Sequence, residues 1–102
     1  MAIIVLFDIP GVTQAQYDAA IYRLTGGKGL HQPSDLPVPG LLSHTAGPTE
    51  DGWHVTDVWE ARGAFIRFSE VLMPILEEVG IPTVPPRILE AHAVVTAPVP
   101  EG

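Results

Sequence analysis

Cysteine and asparagine are both absent from this chain of 102 residues, and basic residues are scarce. Without cysteine there is no disulfide, no thiolate metal ligand and no cysteine nucleophile. Five lysine and arginine residues against twelve aspartate and glutamate residues give a formal net charge of −7. Because nucleic acids and anionic membranes attract clusters of basic side chains, we expect neither as a partner.

Long hydrophobic runs are missing as well, although the chain is apolar overall. No run approaches the roughly 20 residues of a membrane-spanning helix. Asp8 interrupts the apolar N-terminal segment too early for a signal peptide, so we expect a cytoplasmic protein. Apolar residues make up 46% of the chain and charged residues only 17%. A small domain with so little charge has apolar surface that a partner subunit or a ligand must cover.

The order of the predicted elements indicates a single α+β domain. Segments rich in β-branched and aromatic residues predict strands at 2–8, 41–46, 53–59 and 87–95. Apolar residues spaced three or four apart predict helices at 13–25 and Arg62–Val79. This βαββαβ order is that of the ferredoxin-like fold, in which two helices cover one face of a four-stranded antiparallel sheet. We expect a second copy of the chain to cover the other face.

Local signals refine the helices and the long connection between them. Thr13 and Gln16 fit a capping box at the start of the first helix. Pro74 should kink the second helix, which Gly80 ends. Segment 27–40 contains three glycines and three prolines and predicts a loop. Such a loop either covers a site or is an inert surface excursion.

A histidine and an aspartate on neighbouring strands form the first candidate site. If the loop 47–52 joins the two hairpin strands, His44 lies opposite Val55, and Asp57 is its diagonal neighbour on the same face. An imidazole that a carboxylate orients can act as an acid–base group. The alternative is that His44 only makes a hydrogen bond within the sheet. A register slip of one residue would move it to the other face.

Three aromatic side chains are expected beside this pair. Trp53 and Trp59 share the strand face of Asp57, and Phe68 lies on the apolar side of the second helix. They form either the wall of a pocket for a planar apolar ligand or simply the core between helix and sheet.

The remaining histidines give further candidates. His92, in the last predicted strand, contacts either the same ligand or the packed interior and the dimer interface. His54 should point away from the two tryptophans and is interpreted as a dimer contact. His31, in the long loop, either caps a pocket or is exposed.

No spacing in the sequence is typical of a metal or nucleotide site, and we expect neither a metal ion nor another cofactor.

One segment is similar to a known group of proteins. Residues 52–60 (Gly-Trp-His-Val-Thr-Asp-Val-Trp-Glu), followed by the helix start at Ala64 and Phe65, resemble the antibiotic biosynthesis monooxygenase-like group of dimeric α/β barrels. Residues 73–76 (Met-Pro-Ile-Leu) are also similar to small members of that group. The resemblance implies a homodimer whose two sheets pack into a barrel, with a cavity between sheet and helices in each subunit. The group includes cofactor-independent oxygenases of polycyclic aromatics, haem-degrading enzymes, cyclases and members without known activity.

The sequence departs from the catalytic pattern of that group. Members with oxygenase or haem-degrading chemistry commonly carry an asparagine, a tryptophan and a histidine. Trp59 matches the tryptophan, Phe68 stands near the position of the histidine, and the chain contains no asparagine. Haem degradation is therefore not expected.

Two hypotheses follow from these observations. In the first, the protein is a homodimeric enzyme of secondary or degradative metabolism that binds an apolar, aromatic or polyketide-like molecule. His44 is its acid–base group, Asp57 the orienting partner and Trp59 a stacking wall, and oxygenation, isomerisation and cyclisation all remain open. In the second, it is a non-enzymatic dimeric binding or interaction module with a filled core. A cavity of about 300 Å³ or more would favour the enzyme.

Overall fold

The computed structural model describes residues 1–97 and folds them into one sheet with two long helices. The strands are β1 (Ile3–Pro10), β2 (Leu41–Pro48), β3 (Gly52–Trp59) and β4 (Arg87–Glu90), and the helices are α1 (Gln14–Leu24) and α2 (Arg62–Val79). The strand order is β2-β3-β1-β4, and every neighbouring pair is antiparallel. The predicted ferredoxin-like α+β fold is therefore confirmed.

The core lies between the helices and one face of the sheet. Successive side chains of a strand point to opposite faces, so the buried residues Ile3 and Val5 of β1 share a face with Trp53 and Trp59 of β3. These side chains pack against apolar residues of both helices, Phe68 of α2 among them. Both helices therefore cover the same face of the sheet.

The ends of the helices follow the local signals in the sequence. The hydroxyl of Thr13 accepts a hydrogen bond from the backbone N–H of Gln16, and the Gln16 side chain accepts one from the backbone N–H of Thr13. The predicted capping box is thus confirmed. Gly80 ends α2 in the left-handed conformation, with φ of 76°, which costs glycine little because it lacks a Cβ atom. The helix is continuous through Pro74.

The last strand is shorter than predicted. The sequence predicts a strand at 87–95, whereas β4 ends at Glu90. The cause lies in its partner, because Glu90 pairs with Ile3, the first residue of β1. Beyond that point one backbone hydrogen bond, from the N–H of Ala91 to the carbonyl of Ala2, continues the contact. The two prolines and the terminal glycine after Thr96 predict a loose tail or one that lies along a partner, and its residues 98–102 lie outside the described part of the chain.

Strands β1 and β2 are longer than predicted, and each ends at a proline. β1 continues to Pro10, which lies opposite Gly52, and β2 continues to Pro48, which lies opposite Trp53. Proline is tolerated where a strand has a neighbour on one side only. β4 pairs with β1 no further than Leu6, and β2 is at the edge of the sheet.

Within residues 1–97, no helix combines the length and the apolar character that crossing a bilayer requires.

The face of the sheet opposite the helices carries apolar side chains that are only partly buried. Ile4, Leu6 and Val58 are half-buried there, and Leu89 of β4 is 44% exposed. His54 lies on the same face, as predicted, with Nδ1 2.6 Å from a carboxylate oxygen of Asp8. This is the surface for which the sequence predicts a partner subunit.

Candidate functional site

Strands β2 and β3 bring His44 and Asp57 directly together. His44 pairs with Asp57 and not with Val55, so the predicted register is wrong by two residues. Strand β2 continues through Pro48 and β3 begins at Gly52, so the connecting loop is confined to residues 49–51. Because the shift is even, His44 stays on the predicted face. Its Nδ1 atom lies 2.5 Å from Oδ1 of Asp57.

Tyr17 of α1 extends this pair to a chain of three side chains. Its hydroxyl oxygen lies 2.5 Å from Nε2 of His44. The carboxylate accepts hydrogen bonds, so the imidazole proton is assigned to Nδ1, which donates to Asp57. In the neutral ring Nε2 then carries the lone pair and accepts the proton of the Tyr17 hydroxyl. The order of donation is Tyr17 to His44 to Asp57.

Burial determines the protonation of the tyrosine. Burial, together with the negative charges of Asp57 and Asp18, raises the pKa of Tyr17 to about 12. Tyr17 is therefore a neutral phenol and a hydrogen-bond donor throughout the physiological range. The other two side chains are also screened from water, with exposed fractions of 18% for His44 and 6% for Asp57.

An apolar cavity of about 80 Å³ lies against these three side chains. Its walls come from β1, β3, both helices and the loop before β2. Tyr17, His44 and Asp57 are among the lining residues, although almost all of the cavity surface is apolar. This volume is that of a few water molecules, so the core is not solid. It is also well below the roughly 300 Å³ of a small-molecule pocket. A larger ligand must therefore displace some of the side chains that line the cavity.

The predicted aromatic residues divide into two groups. Trp53 and Phe68 line the cavity, and the Trp53 ring centroid lies 5.1 Å from that of Tyr17. Trp59 is completely buried, packs against Phe65 and Phe68, and is not among the residues that line the cavity. Among the described residues, neither indole N–H has a hydrogen-bond partner. Ligand contact by these residues stays a prediction.

The other histidines lie away from the cavity. His92 follows β4 and is exposed, since the strand in which it was expected to lie ends two residues earlier. His31 is exposed in the loop, where its backbone N–H donates to the carboxylate of Asp35. Backbone hydrogen bonds from His31 and Gln32 lower the pKa of Asp35, that of His31 being the strongest influence. The predicted contact of His92 with a ligand has no support within one chain.

One part of the site, Tyr17, was not predicted from the sequence, and a second part, the loop 27–40, was predicted only as one of two alternatives. The sequence places Tyr17 on the apolar stripe that predicts α1, although a phenol on such a stripe carries a polar tip that needs a partner when buried. The loop 27–40 had two interpretations, and its residues Leu30 and Leu36 line the cavity. The loop therefore covers the site.

In the part of the chain that the structure describes, no three histidine or acidic side chains converge as metal ligands.

The fold and site together define a ferredoxin-like domain with a buried hydrogen-bonded chain at an apolar cavity. Neither a protein-family model nor a curated protein matches the chain. Among solved structures, the fold is similar to that of SnoaB, a cofactor-independent oxygenase from Streptomyces nogalater. The TM-score is 0.56 and the identity 15%, over 94% of this chain and 96% of that chain.

A second solved structure is the monooxygenase ActVA-Orf6 of Streptomyces coelicolor in complex with nanaomycin D. It has a TM-score of 0.47 and 22% identity, over 94% of this chain and 91% of that chain. At the level of the fold, the likeness to SnoaB confirms the resemblance to antibiotic biosynthesis monooxygenase-like proteins.

Proposed function

We propose that the protein is an enzyme that binds a planar apolar or aromatic molecule and oxidises it with dioxygen without a cofactor. The observation that carries this proposal is the His44–Asp57 pair at the wall of an otherwise apolar cavity. An isolated polar pair in such surroundings costs free energy unless it is hydrogen-bonded, and here it faces the space where a ligand would lie. The shared fold with a cofactor-independent oxygenase supports the choice of reaction.

Oxidation without a cofactor requires the protein to convert the substrate into an anion. Dioxygen reacts slowly with neutral closed-shell molecules, whereas a carbanion or phenolate can give it an electron. In the proposal, His44 accepts the acidic proton of the substrate, and the adjacent carboxylate of Asp57 stabilises the resulting imidazolium. For a methylene flanked by aromatic rings, CH2 and O2 become C=O and H2O. The apolar walls exclude water, which would otherwise return a proton to the anion.

The proposal includes a cytoplasmic homodimer formed through the sheet face opposite the helices. Its support is the apolar surface of Ile4, Leu6 and Leu89 on that face, which a second copy would remove from water. Sedimentation velocity tests this. Wild-type protein should sediment as a dimer, and Leu6→Glu should dissociate it. Ile66→Glu, which changes an exposed residue of α2, is the matched control. A wild-type monomer would contradict the dimer.

The second candidate is a non-enzymatic binding module. The cavity volume favours it, since about 80 Å³ is too little for a polycyclic ligand without movement of the walls. Under this hypothesis the His44–Asp57 pair has only a structural role. The protein would then act as a dimeric interaction module whose interior is filled by its own side chains, and it would turn over no ligand.

Turnover of dithranol, a dihydroxyanthrone, separates the two candidates. Chelator-treated enzyme should consume dioxygen and form the corresponding dihydroxyanthraquinone. His44→Gln keeps an amide that can donate to Asp57 but removes the base, so the rate should fall by about 10²–10⁴-fold. His31→Gln, in the exposed part of the loop, should keep the wild-type rate. The absence of dioxygen consumption, whether or not dithranol binds, would support the module and contradict the enzyme.

A further inference from the structure

We infer that Tyr17 is the residue that contacts the substrate, and that the substrate proton reaches His44 through the Tyr17 hydroxyl. This inference rests on the proposed function and specifies how its base is reached. It makes Tyr17 a catalytic residue and turns the pair predicted from the sequence into a three-membered proton relay.

The hydrogen bonds of the imidazole carry the inference. A histidine ring has two nitrogen atoms. In His44, Nδ1 is bonded to Asp57 at 2.5 Å and Nε2 to Tyr17 at 2.5 Å. No position on the ring is free to receive a proton from a ligand. The Tyr17 oxygen donates its own hydrogen and keeps acceptor capacity on its lone pairs, so it offers a direct place for the substrate hydrogen to bond. The Asp57 carboxylate also has acceptor capacity, but a carboxylate is a weaker base than an imidazole.

The ring of Tyr17 is held in place by aromatic contacts. It lies parallel to the His44 ring, with an interplanar angle of 8° and a centroid distance of 6.1 Å. It also packs against Trp53, with a centroid distance of 5.1 Å. The capping box of Thr13 and Gln16 fixes the backbone one turn earlier. The hydroxyl is therefore positioned by its surroundings and does not depend on the bond to His44 alone.

Two proton transfers make up the step. The substrate C–H or O–H bond breaks, and a new O–H bond forms at Tyr17, while the electron pair remains on the substrate. The original Tyr17 O–H bond breaks, and an N–H bond forms at Nε2 of His44. The tyrosine is a neutral phenol before and after, and the positive charge of the imidazolium lies beside Asp57.

The surroundings of Tyr17 favour simultaneous transfer of the two protons. Burial and the nearby negative charges raise the pKa of Tyr17 to about 12, so a free tyrosinate is unfavourable. If both protons move together, no tyrosinate forms. The same relay can run in reverse and return a proton to an oxygenated product.

Hydrogen exchange without dioxygen tests the relay apart from oxidation. Dithranol is incubated with enzyme in deuterium oxide under argon, and loss of its methylene proton signal is followed by NMR. Tyr17→Phe keeps the ring and its contacts with Trp53 but removes the hydroxyl. We expect this variant to lower the exchange rate about 10²-fold or more with little change in KM. Tyr22→Phe, an exposed position on the same helix, should have no effect.

A proton inventory distinguishes a relay from a structural role. The methylene position of dithranol is first equilibrated at each deuterium fraction of the solvent. If two protons then move together, the wild-type rate of dithranol oxidation depends on that fraction along a curve. The residual rate of Tyr17→Phe should follow a straight line, since one proton moves. Circular dichroism of the variant should match the wild type. Equal rates and equally curved inventories for both proteins would overturn the relay, because the substrate would then reach His44 directly.

The outcomes separate this inference from the proposed function. Exchange that is lost in His44→Gln but retained in Tyr17→Phe overturns the relay and leaves the base in place. Exchange that needs both residues, without any dioxygen consumption, supports the relay and overturns the oxygenase. Wild-type protein that accelerates neither exchange nor oxidation overturns both.

Discussion

Replacing His44 by alanine leaves the carboxylate of Asp57 buried without its hydrogen-bond partner. The Asp57 side chain is only 6% exposed, and His44 is its hydrogen-bond partner. Leaving a buried polar group without its hydrogen-bond partner costs about 1–3 kcal/mol, and more when the group is charged. Because the His44 side chain is 18% exposed, water can partly solvate the remaining charge. We therefore expect a loss of about 3 kcal/mol, or roughly 12–24 °C in Tm for a domain of this size.

Urea unfolding followed by circular dichroism measures this loss. The double variant His44→Ala/Asp57→Ala removes the buried charge together with the imidazole. We expect it to be more stable than His44→Ala alone, by about 1–2 kcal/mol, because an unpaired buried group costs more than the absence of both partners. His31→Ala, at an exposed position, should stay within about 0.5 kcal/mol of the wild type. Additive losses in the double variant would refute the idea that the two side chains are coupled.

Two further predictions concern pH and backbone packing. Since burial raises the pKa of Tyr17 to about 12, tyrosinate absorbance in a Tyr22→Phe background should appear with a midpoint near that value. The folded state holds this proton more tightly than the unfolded chain, so stability should fall as the pH rises from about 10 to 12; a midpoint near 10 in the folded protein would contradict the burial of the phenol. A Cβ at Gly52 would lie 2.2 Å from the Ile9 carbonyl oxygen, whereas one at Gly47 meets nothing within 4 Å. Gly52→Ala should lower the free energy of unfolding by about 1–3 kcal/mol while Gly47→Ala does not, and equal urea midpoints for the two variants would show that this close approach does not matter.

Features set by neighbouring residues were predictable from the sequence. The capping box at Thr13 and the end of α2 at Gly80 depend on backbone conformation and on hydrogen bonds within a few residues. The apolar spacing of Arg62–Val79 predicted the extent of α2. These signals were enough for the element order, and with it the ferredoxin-like fold class.

Strand length and register were decided by partners far away in the chain. The alternation of residues 87–95 continues past Glu90, but β1 begins opposite that residue and leaves the rest without a full partner. The hairpin register differed by two residues because β2 continues for two residues into the expected loop, so that Pro48 and not Ala46 lies opposite Trp53. His44 kept its face only because that difference is even.

The placement of His44 and Asp57 on neighbouring strands and on one face follows from the residues alone, since a hairpin and a period of two suffice for that. Only the tertiary structure placed Tyr17 against His44, over a separation of 27 residues, and buried Trp59 away from the cavity. The packing of α1 on the sheet depends on the side chains of both surfaces at once. No local pattern in the chain encodes that contact.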